Sequence, residues 1–241
     1  MKRIIAMAGM SVLFLGTGVA ICAQTKGAAP KLLDMTGFWE RDTLVRNDHY
    51  DPNTPTHLSQ KPPLNAEYAA KWKTNIAMSE KGDLSYDTAA SCYPKGMPRV
   101  LMAPYGLEIM ATDKQVNLYN EGSAETVRIY LDGKQQEEGA EPTYIGFTNG
   151  SWDGKMLSAK TVNLRADKLF DSSGIPHSDA LTVQQTIRFL DKDTLEDIVT
   201  ASDPKAFTED WVVRMVFRRQ PESAYVHEYF CKLKTEAGVS K

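Results

Sequence analysis

Histidine, cysteine and aromatic residues are scarce in this chain: four, three and 9% of 241 positions. So few histidines and cysteines give little material for a metal cluster, and no cysteine pair has the close spacing of a zinc site or a thioredoxin-like redox motif. Charge of one sign is lacking as well. Twenty-eight basic against 31 acidic residues leave a net charge of −3, which argues against a basic nucleic-acid binder, and a 42% hydrophobic content argues against a disordered chain. There is no Walker loop, dinucleotide fingerprint or haem-attachment motif. Beyond Val19 no stretch approaches roughly 18 uninterrupted apolar residues, so no membrane span is expected in the mature protein.

What is present begins with an export signal. Met1, Lys2 and Arg3 make a charged start, Ile4 to Val19 carries no further charge, and Ala20-Ile21-Cys22-Ala23 closes the segment with mostly small residues. Residues 1–23 therefore read as a secretory signal peptide. Cleavage after Ala23 would remove Lys2 and Arg3 and move the net charge two units further negative. Cys22 would suit lipid attachment, but Ile21 stands where a small residue is needed, so a free periplasmic or secreted protein is expected. Cys92 and Cys231 then remain in a compartment that permits disulfides, and one bridge between them is expected, with two buried thiols as the alternative. Closing a loop of that length stabilises by about 4–5 kcal/mol in the chain-entropy view.

Residues 24–33 read as a flexible leader, 34–235 as one β-rich domain and 236–241 as a tail. Thr36 to Glu40 opens a short strand, and Asp48 to Pro63 has the Pro-, His- and Asn-containing composition of a surface loop. His49 and His57 in that loop match no recognised metal site. Leu64 to Met78 is the one convincing helix, capped by Asn65, with Tyr68, Ala69, Trp72 and Ile76 at helical spacing. From residue 99 the period becomes two. Val116 and Leu118, then Val127, Ile129 and Leu131, then Tyr144, Ile145 and Phe147 mark runs separated by Asp132-Gly133 and Asn149-Gly150 turn signals. Met156–Leu164, Leu181–Phe189, Leu195–Ala201, Trp211–Phe217 and Tyr225–Cys231 continue the series.

Eight or so strands in consecutive hairpins, with almost no room for crossover helices, exclude an α/β sheet. They fit an antiparallel barrel, with a two-sheet sandwich as the alternative. Gly37-Phe38-Trp39 near the domain start, with Arg214, Arg218 or Arg219 on a late strand, resembles the Gly-x-Trp opening of lipocalin-like barrels. In those an arginine covers the tryptophan that plugs one barrel end, a cation over an aromatic face. Gly150-Ser151-Trp152 repeats the tripeptide.

A second resemblance spans nearly the whole mature chain. Pro62-Pro63-Leu64 with Glu67-Tyr68-Ala69-Ala70, the Cys92–Arg99 segment, Val127–Gly133, Gly150–Gly154, Pro176–Leu181 and Asp203-Pro204 follow in an order similar to that of a large family of uncharacterised exported proteins of proteobacteria, frequent in sphingomonads. The resemblance implies export and the extent of the domain, but no reaction. Two departures stand out. Gly146-Phe147-Thr148 replaces the family's Gly-His-Ser, and Gln184-Gln185-Thr186 stands where relatives carry Glu-Arg. A histidine and a glutamate that could titrate are absent at these positions, so either acid/base chemistry is lost or a pocket is more neutral and more aromatic.

The candidate ligand-binding residues are Arg128, Tyr130, Gln185, Phe147, Trp152, Tyr93 and Arg99. Gln185 is in phase with Leu181, Val183, Ile187 and Phe189, so on an inward face its amide needs a hydrogen-bond partner from a ligand, another side chain or water. Arg128 and Tyr130 share a face opposite Val127, Ile129 and Leu131. Inside, they would anchor a carboxylate or phenolate; outside, they are an ordinary solvated strand face. His177-Ser178-Asp179 is the candidate for catalysis, with His177 as general acid/base and Asp179 orienting it, although Ser178 lacks a nucleophile-elbow turn. Strand capping by Ser178 and Asp179 is the structural alternative. Two functions follow: a barrel binding a small apolar or aromatic molecule, or a cofactor-independent lyase, isomerase or hydrolase. Neither requires a metal or a cofactor.

Overall fold

The computed structural model describes residues 30–42 and 61–231. The signal segment, Cys22, most of the leader, the His49–His57 loop and the C-terminal tail lie outside the described residues. Nine strands form one closed barrel: β1 (Gly37–Arg41), β2 (Leu107–Ala111), β3 (Gln115–Asn120), β4 (Glu125–Tyr130), β5 (Phe147–Trp152), β6 (Met156–Val162), β7 (Thr182–Asp191), β8 (Thr194–Ser202) and β9 (Trp211–Arg219). The helix α1 covers Ala66–Glu80 and a single turn, α2, covers Arg99–Met102. Among the described residues no helix is long and apolar enough to cross a membrane.

The lipocalin-like barrel expected from the strand pattern is the fold, and the sandwich alternative is not. One pairing departs from the antiparallel expectation: β4 and β5 run parallel, with Ile129 opposite Thr148 and Tyr130 opposite Asn149. Residues 131–146 are too many for a tight hairpin, and they carry the chain back to the other end of the barrel before β5 begins. Asn149-Gly150 is accordingly not a turn but the middle of β5. Gly150 is required there by close approach, because a Cβ would stand 2.6 Å from Ile129 Cγ2 and 2.7 Å from the Ser158 carbonyl.

The expected last strand, Tyr225 to Cys231, is also absent. β1 pairs with β9, Trp39 opposite Arg219, and this closes the barrel and leaves no free edge for another strand. The segment after Gln220 instead runs outside the wall, held by Gln220 N to the Phe38 carbonyl at 2.8 Å, His227 N to Glu121 Oε1 at 2.7 Å, and the Cys92–Cys231 disulfide. The bridge spans a sequence separation of 139 residues. Replacing both cysteines with serine should lower stability by about 2–5 kcal/mol, read as a shift of the urea midpoint.

Both ends are plugged. At one, a 3₁₀ turn over Leu32–Met35 buries Leu32, inside the span read as leader, together with Met35. Trp39 Nε1 donates to the Met35 carbonyl at 2.8 Å. The guanidinium of Arg219 lies 4.1 Å over the Trp39 ring and donates to the carbonyls of Thr36 and Asp34. Of the three arginines proposed to cover the tryptophan, Arg219 does so. At the other end Phe170 stacks on Trp211 with centroids 4.3 Å apart, and Phe207 meets both rings edge-on. Asn65 caps α1 by accepting from Tyr68 N at 3.1 Å. The helix is fastened to the loop over this end by Trp72 Nε1 to Ser173 O and Asn75 Nδ2 to Gly174 O.

Candidate functional site in the barrel interior

Alternation along the strands sends every second side chain inward, and the register stacks these side chains in rows. One row crosses Gly150, Ala159, Gln185, Val199 and Val213. The next, toward Trp39, crosses Trp152, Leu157, Ile187, Asp197 and Met215. The row on the other side contains Thr148, Thr161, Val183, Ala201 and Trp211, and in it the two threonine hydroxyls satisfy each other at 2.8 Å. Gln185 thus sits among small side chains, none of which carries a hydrogen-bonding group.

Its partner is Asp197. Gln185 Nε2 donates to Asp197 Oδ2 at 3.1 Å. The other two oxygens of the pair, Gln185 Oε1 and Asp197 Oδ1, are buried without a hydrogen-bond partner. Two acceptors left this way in an apolar interior are costly, each on the order of 1–3 kcal/mol. Burial pushes the Asp197 carboxyl up to about 7, against smaller opposing effects of the Gln185 amide and the Arg41 charge. Arg41 follows Trp39 on the inward face of β1. It donates to the Met102 carbonyl at the end of α2, and its own pKa is lowered by burial. Arg41 therefore neutralises Asp197 only partly and from a distance.

The other sequence candidates are dispersed. Arg128 is exposed on the outer face of β4. Tyr130 and Phe147 stack on each other with centroids 5.3 Å apart, also outside, because Val127 and Ile129 take the inward positions. Trp152 points inward and packs on the core. Tyr93 and Arg99 belong to a cluster outside the wall beside the disulfide: Arg99 pairs with Asp87 at 2.7 Å, and Lys168 reaches the Tyr93 ring while donating to Thr88 Oγ1.

His177 is buried, 3% exposed. With Nδ1 donating to the Ser178 carbonyl at 2.9 Å, Nε2 is left without a partner, and burial lowers the ring's pKa. Asp179 does not orient it; that carboxylate pairs with Lys205 at 2.6 Å on the surface. The carboxylate that organises this loop is Asp203, which accepts from Ser178 N and Oγ, both at 2.6 Å, and from the amides of Lys205 and Ala206. An open groove of about 350 Å³ lies beside this turn, lined by Asp203, Phe207, Thr208, Glu209 and Asp210 among others.

Because the folded His177 resists protonation, the unfolded chain takes up the proton first. Its contribution to stability is therefore present above the ordinary histidine range, near 6.5, and is lost as pH falls below it. His177→Gln should flatten the loss of stability between pH 6.5 and 5, checked by urea unfolding at both pH values.

Asp197 and Arg41 were not among the sequence candidates. Asp197 could have been found by the reasoning that singled out Gln185, since it is in phase with Leu195, Val199 and Ala201 on β8. Arg41 carried no comparable signal, because the segment after Glu40 showed no periodicity. Among the described residues, no three His, Cys, Asp or Glu side chains gather as a metal site. No protein-family model and no curated protein matches the chain.

Proposed function

We propose that this is an exported binding module that holds a small, largely apolar molecule inside its barrel, with Gln185 and Asp197 as the polar contacts. One observation carries this reading: Gln185 Oε1 and Asp197 Oδ1, on inward-facing side chains of β7 and β8, both lack a hydrogen-bond partner. Buried polar atoms are ordinarily satisfied, and exceptions point to a function or to a bound group. Closed barrels with a few convergent polar groups are common ligand sites. The signal-like residues 1–23, the disulfide and the resemblance to exported proteobacterial proteins support a periplasmic or secreted location. The enzymatic reading through His177 and Asp179 has less support, since Asp179 is engaged by Lys205 and His177 by the backbone of Ser178.

Native mass spectrometry of the protein recovered from a bacterial periplasm without detergent tests the proposal. The expected spectrum contains a fraction carrying one small-molecule adduct, reduced in Gln185→Leu. A spectrum free of adduct, with no small molecule released on denaturation, would count against it.

A further inference from the structure

The chain beyond β9 is fastened to the barrel by a bond that can be opened without touching the wall. Every strand pairing, β1 with β9 included, is complete by Arg219, and among the described residues no side chain after Gln220 joins the barrel core. Residues 221–231 lie across the outside instead. Their backbone donates from His227 N to Glu121 Oε1 at 2.7 Å, the Tyr229 ring meets Lys95 Nζ at 5.2 Å, and Cys231 ends the segment in its bridge to Cys92. Tyr225 and Phe230 are 70% and 67% exposed, so little apolar burial holds the segment down.

The two halves of the bridge differ. Cys92 is set in place by its own loop: it closes a 3₁₀ turn over Thr88–Ser91 in the left-handed conformation, φ 62°, with its N–H donating to the Ala89 carbonyl at 3.1 Å. Arg99 on Asp87 and Lys168 on Thr88 Oγ1 fix that turn from two other segments. Cys92 is exposed and Cys231 half-buried, and exposed bridges are the ones open to thiol attack. We propose that residues 221–231 form a redox-released strap: an external dithiol, of the kind a thiol–disulfide oxidoreductase carries, opens Cys92–Cys231, and the strap lifts from Glu121 and Lys95 while the barrel stays folded. One thiolate of the dithiol attacks the Cys92 sulfur. The S–S bond breaks with its electron pair on Cys231, which takes a proton from water. The second thiol gives up its proton and displaces Cys92 from the mixed disulfide, and Cys92 is protonated in turn. The dithiol is thereby oxidised to a disulfide, and the protein gains two electrons and two protons as two thiols.

The test treats the full mature chain with dithiothreitol in native buffer. Alkylation and mass spectrometry count the thiols, circular dichroism and tryptophan fluorescence follow the barrel, and chymotrypsin probes the strap. All four tryptophans precede Gln220, so their fluorescence reports the barrel and not the strap. Both thiols should appear at a rate within about tenfold of that in urea, with the spectra unchanged. Cleavage after Tyr225, Tyr229 and Phe230 should become at least about tenfold faster, because a protease needs a detached, extended segment. Reoxidation with glutathione disulfide should restore the slow rate. Cys92→Ser with Cys231→Ser should be cleaved at the fast rate with or without dithiothreitol. A bridge that is reduced only where urea unfolds the barrel, a reduced chain whose strap is cleaved no faster than before, or loss of the barrel's spectra on reduction would each overturn the proposal.

Discussion

Asp197→Asn is expected to make the protein more stable above pH 7 and to remove most of its loss of stability between pH 4 and 7. In the folded barrel the carboxyl ionises near 7 instead of at its ordinary 3.8. The unfolded chain gives up the proton first, so folding is opposed increasingly as pH rises from about 4 to 7. Stability associated with the protonated acid is fully present below 3.8 and is lost as pH rises through the folded value. A separation of about three pKa units corresponds to about 4 kcal/mol, a maximum that relaxation of the site would reduce. Asparagine has the same shape, carries no charge and offers N–H to the Gln185 oxygen. For a chain of this size the gain corresponds to a rise in Tm on the order of 10 °C at pH 8, fading toward pH 4, as differential scanning calorimetry across that range would record. A variant no more stable than wild type at pH 8 would mean that Asp197 is not buried as a lone carboxyl.

The second large effect is expected at the opposite polarity of the same barrel. Trp39→Ala should cost about 3–5 kcal/mol. Trp39 is fully buried, meets Phe189 at a centroid distance of 6.2 Å, and carries both the Met35 hydrogen bond and the Arg219 guanidinium. Its loss leaves a cavity at the barrel end and removes the ring under the cation. Arg219→Lys should cost far less, since the ring and the plug remain, although the fork donating to the Thr36 and Asp34 carbonyls is lost. Urea unfolding of the two variants separates the contribution of the plug from that of its cover.

The fold was legible wherever it depended on local pattern. Period-two runs located most of the wall, Asn65 marked the start of the helix, and Gly37-Phe38-Trp39 with a late arginine anticipated how one end is closed. Long-range pairing was not legible. Nothing in residues 131–146 announces that β5 enters parallel to β4, and Tyr225, His227, Tyr229 and Cys231 alternate like a strand although β1 has already taken the edge of β9. Asn149-Gly150 has turn chemistry, yet Gly150 serves close packing against Ile129.

The candidate site was half legible for a related reason. Alternation identifies the two faces of a strand but does not say which polar pair faces inward. Gln185 is embedded in a run whose apolar members define the inner face, and it lies inside. Arg128 and Tyr130 alternate with Val127 and Ile129, and the apolar pair takes the interior. Asp197 was missed because an aspartate among Leu195, Val199 and Ala201 contradicts the ordinary rule that isolated carboxylates stay in water. That contradiction is what gives the residue its interest. Sequence adjacency in His177-Ser178-Asp179 also suggested a cooperating group, but the strand that follows turns Asp179 outward to Lys205 and leaves Asp203, distant in sequence, to bind Ser178.

The most direct measurement is a crystal structure, at a resolution that places individual water molecules, of the protein purified from a periplasm. The account predicts a small molecule in contact with Asp197 Oδ1 and Gln185 Oε1 at about 2.7–3.2 Å. A single water between the two oxygens, or a closed carboxyl–amide pair in which Asp197 donates its own proton to Gln185 Oε1, would satisfy both acceptors without a ligand and contradict it.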